Sequence, residues 1–346
     1  VKDEPGALRD EDAFDTAAVH DWLSSRVDGL TELPRVRQYP GGASNLTYLL
    51  SYPDRELILR RPPAGQKAAS AHDMRREYTV QDKLKPVYPY VPNVLALCTD
   101  HDVLGSDFYV MDRIDGIILR GDLPDGLTLS PDDASALAYR VFDRLIELHE
   151  VDPEAAGLSD LGKGAGYVAR QVRGWSDRYR RARTPDAPDG ETVMAWLDAH
   201  QPADAAICVI HNDFRFDNVV LDDDLNVAGV LDWEMATLGD PLMDLAGCMA
   251  YWIQADDDEI AQLSRRQPSH LPGMPTRQDL VAYYCDRMGL SADNWVFYEV
   301  FGWFRLQVIM QQIYFRFHSG QTHNEAFAGF PRFVAYLDER CRKAIT

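Results

Sequence analysis

The 346-residue sequence has no closely spaced cysteine pair: its five cysteines, at 98, 208, 248, 285 and 341, are odd in number and far apart. Without a CxxC pair there is no zinc ribbon or dithiol redox motif, and the spacing fits reduced thiols. Basic charge is scarce. With 35 Lys and Arg against 55 Asp and Glu, the formal charge is −20, which repels a phosphate backbone and argues against a nucleic-acid partner. Uninterrupted apolar runs are missing as well. The most apolar long segment, WVFYEVFGWFRLQVIMQQIYF, contains Glu299, Arg305 and three glutamines, which a lipid-spanning helix rarely accepts. The opening VKDEPGALRDEDAFD has neither the basic start nor the apolar run of a secretory signal, so the expectation is a cytoplasmic protein without a membrane span.

What is present is the composition of an ordinary globular chain, 46% hydrophobic and 26% charged, with length for roughly two domains. Asp15 is placed to cap a helix running to about residue 27. RVRQY, LTYLLSY and ELILRRP, separated by PGGASN and PDR, read as an antiparallel three-stranded start. AHDMRREYTVQDKL follows as a helix, and strand-like text returns at 94–98 and 108–111. From about Ser130 the period becomes helical, as in DDASALAYRVFDRLIELHE, and VVL and VAGVL around DDDLN form a hairpin within that region. The pattern predicts an α+β chain with a small β-rich lobe over 1–111, a hinge at 112–116 and a larger helical lobe over 117–346, facing a cleft. PDAPDG at 185–190 and RQPSHLPGMPT at 266–276 read as loops.

Chemistry concentrates in HNDFRFDNVVLDDDLNVAGVLDWE, residues 211–234. His211, Asp213 and Asn218 have the spacing HxDxxxxN of a kinase catalytic loop, and Asp232 follows at the end of the hairpin's second strand. Phosphoryl transfer needs a carboxylate to orient and deprotonate the attacking hydroxyl, and oxygen ligands to hold magnesium on the nucleotide phosphates. Asp213 is the candidate base, with Asn218 and Asp232 as candidate metal ligands that the hairpin folds together. Arg215 is suited either to the transferring phosphoryl group or to pairing with neighbouring aspartates. His211 is suited to holding the loop. Asp217 and the turn residues Asp222, Asp223 and Asp224 read as solvated surface, Asp240 before Pro241 as a helix cap, and Asp244 as a brace. Glu234 is open between an acceptor pocket and a backbone bond.

A nucleotide site is expected upstream. In PGGASN, Gly41, Gly42, Ser44 and Asn45 offer backbone amides to phosphate, although a hairpin turn also wants glycine. ELILRRP supplies Arg60 or Arg61 and no lysine. Glu77 shares a helical stripe with Val80 and Leu84 and so needs a buried partner; alternation puts Arg60 with Ile58, opposite Leu57 and Leu59, and makes Arg60 that partner. Met111, Asp112 and Ile114 lie where FYVM leaves its strand, placed for adenine. RQVRGWSDRYRRAR at 170–183 is either a solvated face or a greeting for an anionic acceptor; Trp303, Phe304 and Tyr314 fit core packing or an acceptor pocket.

Taken together, PGGASNLTY, LILRRPP, AHDMRREY, FYVMDRIDG, LHEVD, HNDFRFDNVVLD and VLDWEMATLGDPLMDLA resemble the aminoglycoside phosphotransferase-like family, a distant relative of protein kinases. The combination is most similar to the branch found fused to acyl-CoA dehydrogenases and as stand-alone bacterial proteins. The resemblance implies a bilobal protein-kinase-like fold, ATP and Mg2+ as cofactors, and a small-molecule hydroxyl as acceptor, on a hydroxyacyl-CoA or hydroxy acid. It implies Asp213 as base, Asn218 and Asp232 as magnesium ligands, and Arg60 with Glu77 in place of the phosphate-contacting lysine and its partner. Two positions depart from the pattern: Arg60 replaces lysine, and Asn212 stands where HGD has glycine. The competing readings are an aminoglycoside or amino-alcohol phosphotransferase, a nucleotide-binding module with weak catalysis, and a metal-dependent hydrolase; the last lacks a second histidine.

Overall fold

The computed structural model describes residues 4–40, 45–63 and 73–346. Its strands are β1 (Arg35–Gln38), β2 (Leu46–Ser51), β3 (Glu56–Arg61), β4 (Val94–Cys98), β5 (Phe108–Asp112), β6 (Cys208–Ile210), β7 (Val219–Leu221), β8 (Val227–Val230) and β9 (Thr237–Gly239). Its helices are α1 (Thr16–Ser24), α2 (Met74–Leu84), α3 (His101–Leu104), α4 (Pro131–His149), α5 (Tyr167–Ala182), α6 (Glu191–Ala199), α7 (Pro241–Ala250), α8 (Glu259–Leu263), α9 (Arg277–Met288), α10 (Trp295–His318) and α11 (Phe330–Ala344). They form two compact units: residues 1–119 with 154–158 and 218–236, and the remainder of the chain.

The first unit is built on an antiparallel sheet in the order β1-β2-β3-β5-β4. Strand alternation sorts its side chains into two faces. Leu57 and Leu59 join Tyr48, Leu50, Phe108 and Val110 in the core that Val19 and Leu23 of α1 complete. Ile58, Leu49, Tyr109 and Met111 face the other way, where Met74 of α2 packs on them. The Asp15 carboxylate accepts from the Ala17 and Ala18 amides and starts α1. The regular helix ends at Ser24, and one further turn, in which the Val27 amide donates to the Leu23 carbonyl at 2.9 Å, carries it to the residue 27 expected from pattern. The β7–β8 hairpin belongs to this unit: Leu221 bridges Ile117, and the Val230 amide donates to the Tyr90 carbonyl at 2.8 Å.

The second unit is helical, with the two-stranded β6–β9 ribbon inside it. Helix α10 packs on α5, α7 and α11. It crosses α7 at Gly302, where a Cβ would lie 2.5 Å from the Ala246 carbonyl oxygen. Two of the polar residues that break its apolar run are buried and paired: Gln311 donates to the Ala182 carbonyl at 2.9 Å, and Arg305 to the Asn212 carbonyl at 2.6 Å. Among the described residues no helix is long and apolar enough to cross a membrane. All five cysteines are free and buried.

Candidate active site

In the first unit, β3 and α2 bring Arg60 and Glu77 together. Arg60 Nη2 lies 3.3 Å from Glu77 Oε1 and 3.2 Å from Asp232 Oδ1. Arg61, on the opposite face, instead bonds Tyr48 Oη and the Asp12 carbonyl. Glu77 is 2% exposed, and burial pushes its carboxyl above the usual range against the pull of Arg60. Burial alone would lower Arg60, but Glu77 and, more weakly, Asp232 and Glu234 hold it above its ordinary value. Arg60 Nε and Glu77 Oε2 are buried without a hydrogen-bond partner, so the pair retains unused donor and acceptor capacity.

The hairpin closes the sequence gap between the two candidate metal ligands. Val219 pairs with Val230, and the Leu231 amide donates to the Asn218 carbonyl at 2.8 Å, so Asn218 and Asp232 end up on adjoining strand ends. Asp232 sits in the left-handed region at φ 68°, an uncommon conformation for a non-glycine residue. Two residues on, Glu234 accepts from Asn45 Nδ2 at 2.9 Å, a side-chain bond that neither the acceptor-pocket nor the backbone-bond reading of Glu234 named. Gly41, Gly42 and Ser44 lie outside the described residues.

At the end of β5, Met111 faces the same side as Ile58 and Tyr109. The Asp112 amide donates to the Asn93 carbonyl and its carboxylate takes Arg55 and Asn93; the Arg113 amide donates to Glu56. The Ile114 amide has no partner among the described residues. The Ile114 side chain packs against Gly229 of β8 so closely that a Cβ there would lie 2.3 Å from it.

The second unit holds the loop with Asp213. Asp244 of α7 accepts from both the His211 and Asn212 amides at 2.8 Å. His149 Nε2 meets the same carboxylate at 3.1 Å, and His149 Nδ1 contacts Tyr284 Oη. Asp244 is fully enclosed, yet its carboxyl is held below the usual range: burial opposes this, and the bond and charge of His149 with the His211 amide outweigh it. His211 Nδ1 accepts from the Asp213 amide at 3.2 Å, a loop-holding role. Arg215 bridges Asp213 at 3.1 Å and Asp217 at 2.9 Å, and its guanidinium lies 4.5 Å from the Tyr251 ring centroid. Asp217 is therefore an ion-pair partner rather than solvated surface. Asp240 caps α7 through the Leu242 and Met243 amides, while Asp222 folds its own turn through the Asp224 and Asn226 amides. Trp303 and Phe304 are buried in the core, and Tyr314 donates to Asp186.

Asn212 is also left-handed, at φ 67°. This explains the departure from HGD: asparagine is the side chain that tolerates that backbone best after glycine. Its Oδ1 accepts from Tyr167 Oη at 3.2 Å, and its carbonyl from Arg305. Spacing could not reveal His149, Tyr284, Tyr167 or Arg305, because each reaches the loop from a separate helix.

The model of the phosphotransferase enzyme family designated APH matches residues 35–280. The chain belongs to this family. Mouse acyl-CoA dehydrogenase family member 10 is 36% identical to this phosphotransferase over 82% of the chain and 27% of its own length. Human acyl-CoA dehydrogenase family member 11 is 31% identical over 97% of the chain and 45% of its own length. The chain thus spans less than half of these curated relatives. A crystal structure from Ralstonia eutropha, of a protein bearing the name of an aminoglycoside phosphotransferase, is 29% identical, with TM-score 0.82 over 96% of this chain and 98% of that one. The fold is that of kinase-like phosphotransferases, in the branch that accompanies acyl-CoA dehydrogenases.

Proposed function

We propose that the phosphotransferase is an ATP- and magnesium-dependent small-molecule kinase that moves the γ-phosphoryl group to a hydroxyl of a hydroxyacyl-CoA or hydroxy acid. The observation that carries the reading is Arg60, buried between Glu77 and Asp232. A cation held on an inner carboxylate, beside the aspartate that ends the hairpin, is what phosphate binding next to a metal site requires. The donor set fits magnesium. Asn218 and Asp232 are hard oxygen ligands, and among the described residues no cluster of three or more His, Cys, Asp or Glu would hold a metal without the nucleotide's phosphates. When bound, magnesium held by Asn218 and Asp232 would neutralise phosphate charge.

The chain's own groups supply the rest. Asp213 orients the acceptor hydroxyl and receives its proton. Arg215, 3.1 Å from Asp213, holds that carboxylate in place. Asn45 serves the phosphates, while Met111 and the backbone at Asp112 and Ile114 receive adenine, with the Ile114 amide as donor. ATP is supported by a fold neighbour, the aminoglycoside phosphotransferase APH(2'')-Ib, whose structure is ADP-bound. The acyl acceptor is supported by the names of the relatives.

The test is calorimetric ATP binding with and without Mg2+, followed by ADP release against hydroxyacyl-CoAs, hydroxy acids and aminoglycosides. Magnesium-dependent binding and stimulation by an acyl acceptor are expected. Asp213→Asn should bind ATP normally and lose turnover by roughly 10²- to 10⁴-fold. No ATP binding would overturn the kinase reading; unaltered turnover in Asp213→Asn would remove the base.

A further inference from the structure

Only part of the basic stretch 170–183, on and after α5, is engaged within the chain. Arg170 and Arg180 are engaged: Arg170 donates to the Gly164 and Ala165 carbonyls, and Arg180 is held by Glu191 at 2.8 Å and by Asp177. Arg178 and Arg181 have no carboxylate partner among the described residues. Arg178 lies three residues after Trp175 on α5, and Arg181 three residues after Arg178. The Arg178 guanidinium lies 4.5 Å from the Trp175 ring centroid, and Arg305 of α10 lies 5.4 Å from it. Arg305 likewise lacks a carboxylate, although it is 8% exposed. Burial, reinforced by the charges of Arg181 and Arg305, holds Arg178 below its ordinary value.

Two guanidinia over one indole, with a third, Arg181, near enough to repel Arg178, are costly for the fold. They are not a by-product of composition, because the chain has 55 acidic residues and a charge of −20 from which to draw partners. Guanidinium groups held in this way are suited to planar oxyanions, which they bind through paired N–H donors. The cluster is also tied to the reaction: Arg305 Nη2 donates to the Asn212 carbonyl, and Asn212 precedes the candidate base Asp213.

We infer that Trp175, Arg178, Arg181 and Arg305 form an anion-recognising subsite that seats the negatively charged group of the acceptor, a carboxylate or a phosphate. The inference rests on the kinase reading and deepens it by assigning the acceptor's charge and the residues that select it. A cationic aminoglycoside would be repelled by the same face.

The experiment uses the full chain and an Arg178→Gln/Arg181→Gln double variant, with Arg178→Lys as the charge-retaining control. Calorimetry measures binding of a hydroxyalkanoate, its neutral amide, its CoA thioester and the dephospho-CoA thioester, each without nucleotide. The double variant should bind an anionic probe roughly tenfold or more weakly, with amide and ATP affinities unchanged and Arg178→Lys between the double variant and wild type, since it keeps the charge but loses the paired donors. In turnover the loss should appear in KM rather than kcat. Weakening of the free hydroxyalkanoate identifies a carboxylate as the seated group. Weakening confined to the CoA thioester, and absent from the dephospho form, identifies a phosphate. Unchanged binding of both the hydroxyalkanoate and the CoA thioester would overturn the subsite. Because these probes are read without nucleotide, that result is distinct from a failure of ATP binding, which would overturn the kinase reading instead.

Discussion

Asn212 carries three roles at once: a left-handed backbone, a carbonyl that receives Arg305, and an Oδ1 that receives Tyr167. Its two neighbours, His211 and Asp213, are fixed by Asp244 and by His211 Nδ1, so the loop depends on its one unusual φ more than on any single side-chain bond. Substitution separates the contributions. Asn212→Gly loses the Tyr167 bond but relieves the backbone; Asn212→Ala loses the bond and keeps the strain, which is ~1–2 kcal/mol for an ordinary L-residue. In denaturant unfolding, the alanine variant should therefore be the less stable of the two by about 1 kcal/mol. Equal losses would show that the Tyr167 bond, not the backbone, decides the residue. Asp232 shares the left-handed conformation, and nothing in its sequence neighbourhood signals it.

Helix α7 begins at Asp240, whose enclosed carboxylate accepts from Leu242, Met243 and Ala205. Burial outweighs those bonds and pushes its pKa up to about 6. The folded protein therefore holds this proton more tightly than the unfolded chain, where an aspartate titrates near 3.9. The stability associated with protonation is fully present below about pH 4 and is lost as pH rises through about 6, a contribution on the order of 3 kcal/mol at most. Between about pH 4 and 6, Asp240→Asn should flatten part of the pH dependence of the unfolding free energy; an unchanged slope would assign that titration to other groups. The cap itself was readable from Asp-Pro, as was Asp15 before α1, since capping is local. Strand alternation likewise predicted which face carries Arg60, and the DDDLN turn predicted the hairpin. The β6–β9 ribbon was not readable: three-residue strands separated by the entire hairpin carry no periodic signal. The contacts of Asp232 with Arg60 and of Glu234 with Asn45 escaped for the same reason, because they join residues more than a hundred positions apart.

On the scale of the whole chain, sequence order and packing diverge at the hairpin. Residues 218–236 are downstream of three helices of the second unit, α4, α5 and α6, yet they pack in the first. There Trp233 is 1% exposed with its ring edge-on to Tyr88, Leu221 bridges Ile117, and Ile114 covers Gly229. Truncation after Leu119 would strip Tyr88, Tyr90 and Ile117 of these partners, and an enclosed aromatic without its packing costs about 3–5 kcal/mol. That loss is comparable to the whole stability of a small domain. A fragment of residues 1–119 should therefore give non-cooperative unfolding and exposed apolar surface by dye binding, whereas the same fragment joined through a flexible linker to residues 218–236 should recover a cooperative transition. Restoration by the hairpin would show that the first unit is completed from downstream in the chain. A cooperative 1–119 fragment would instead mean that the five-stranded sheet with α1 and α2 is sufficient, and that Arg60 and Glu77 are assembled before Asp232 reaches them.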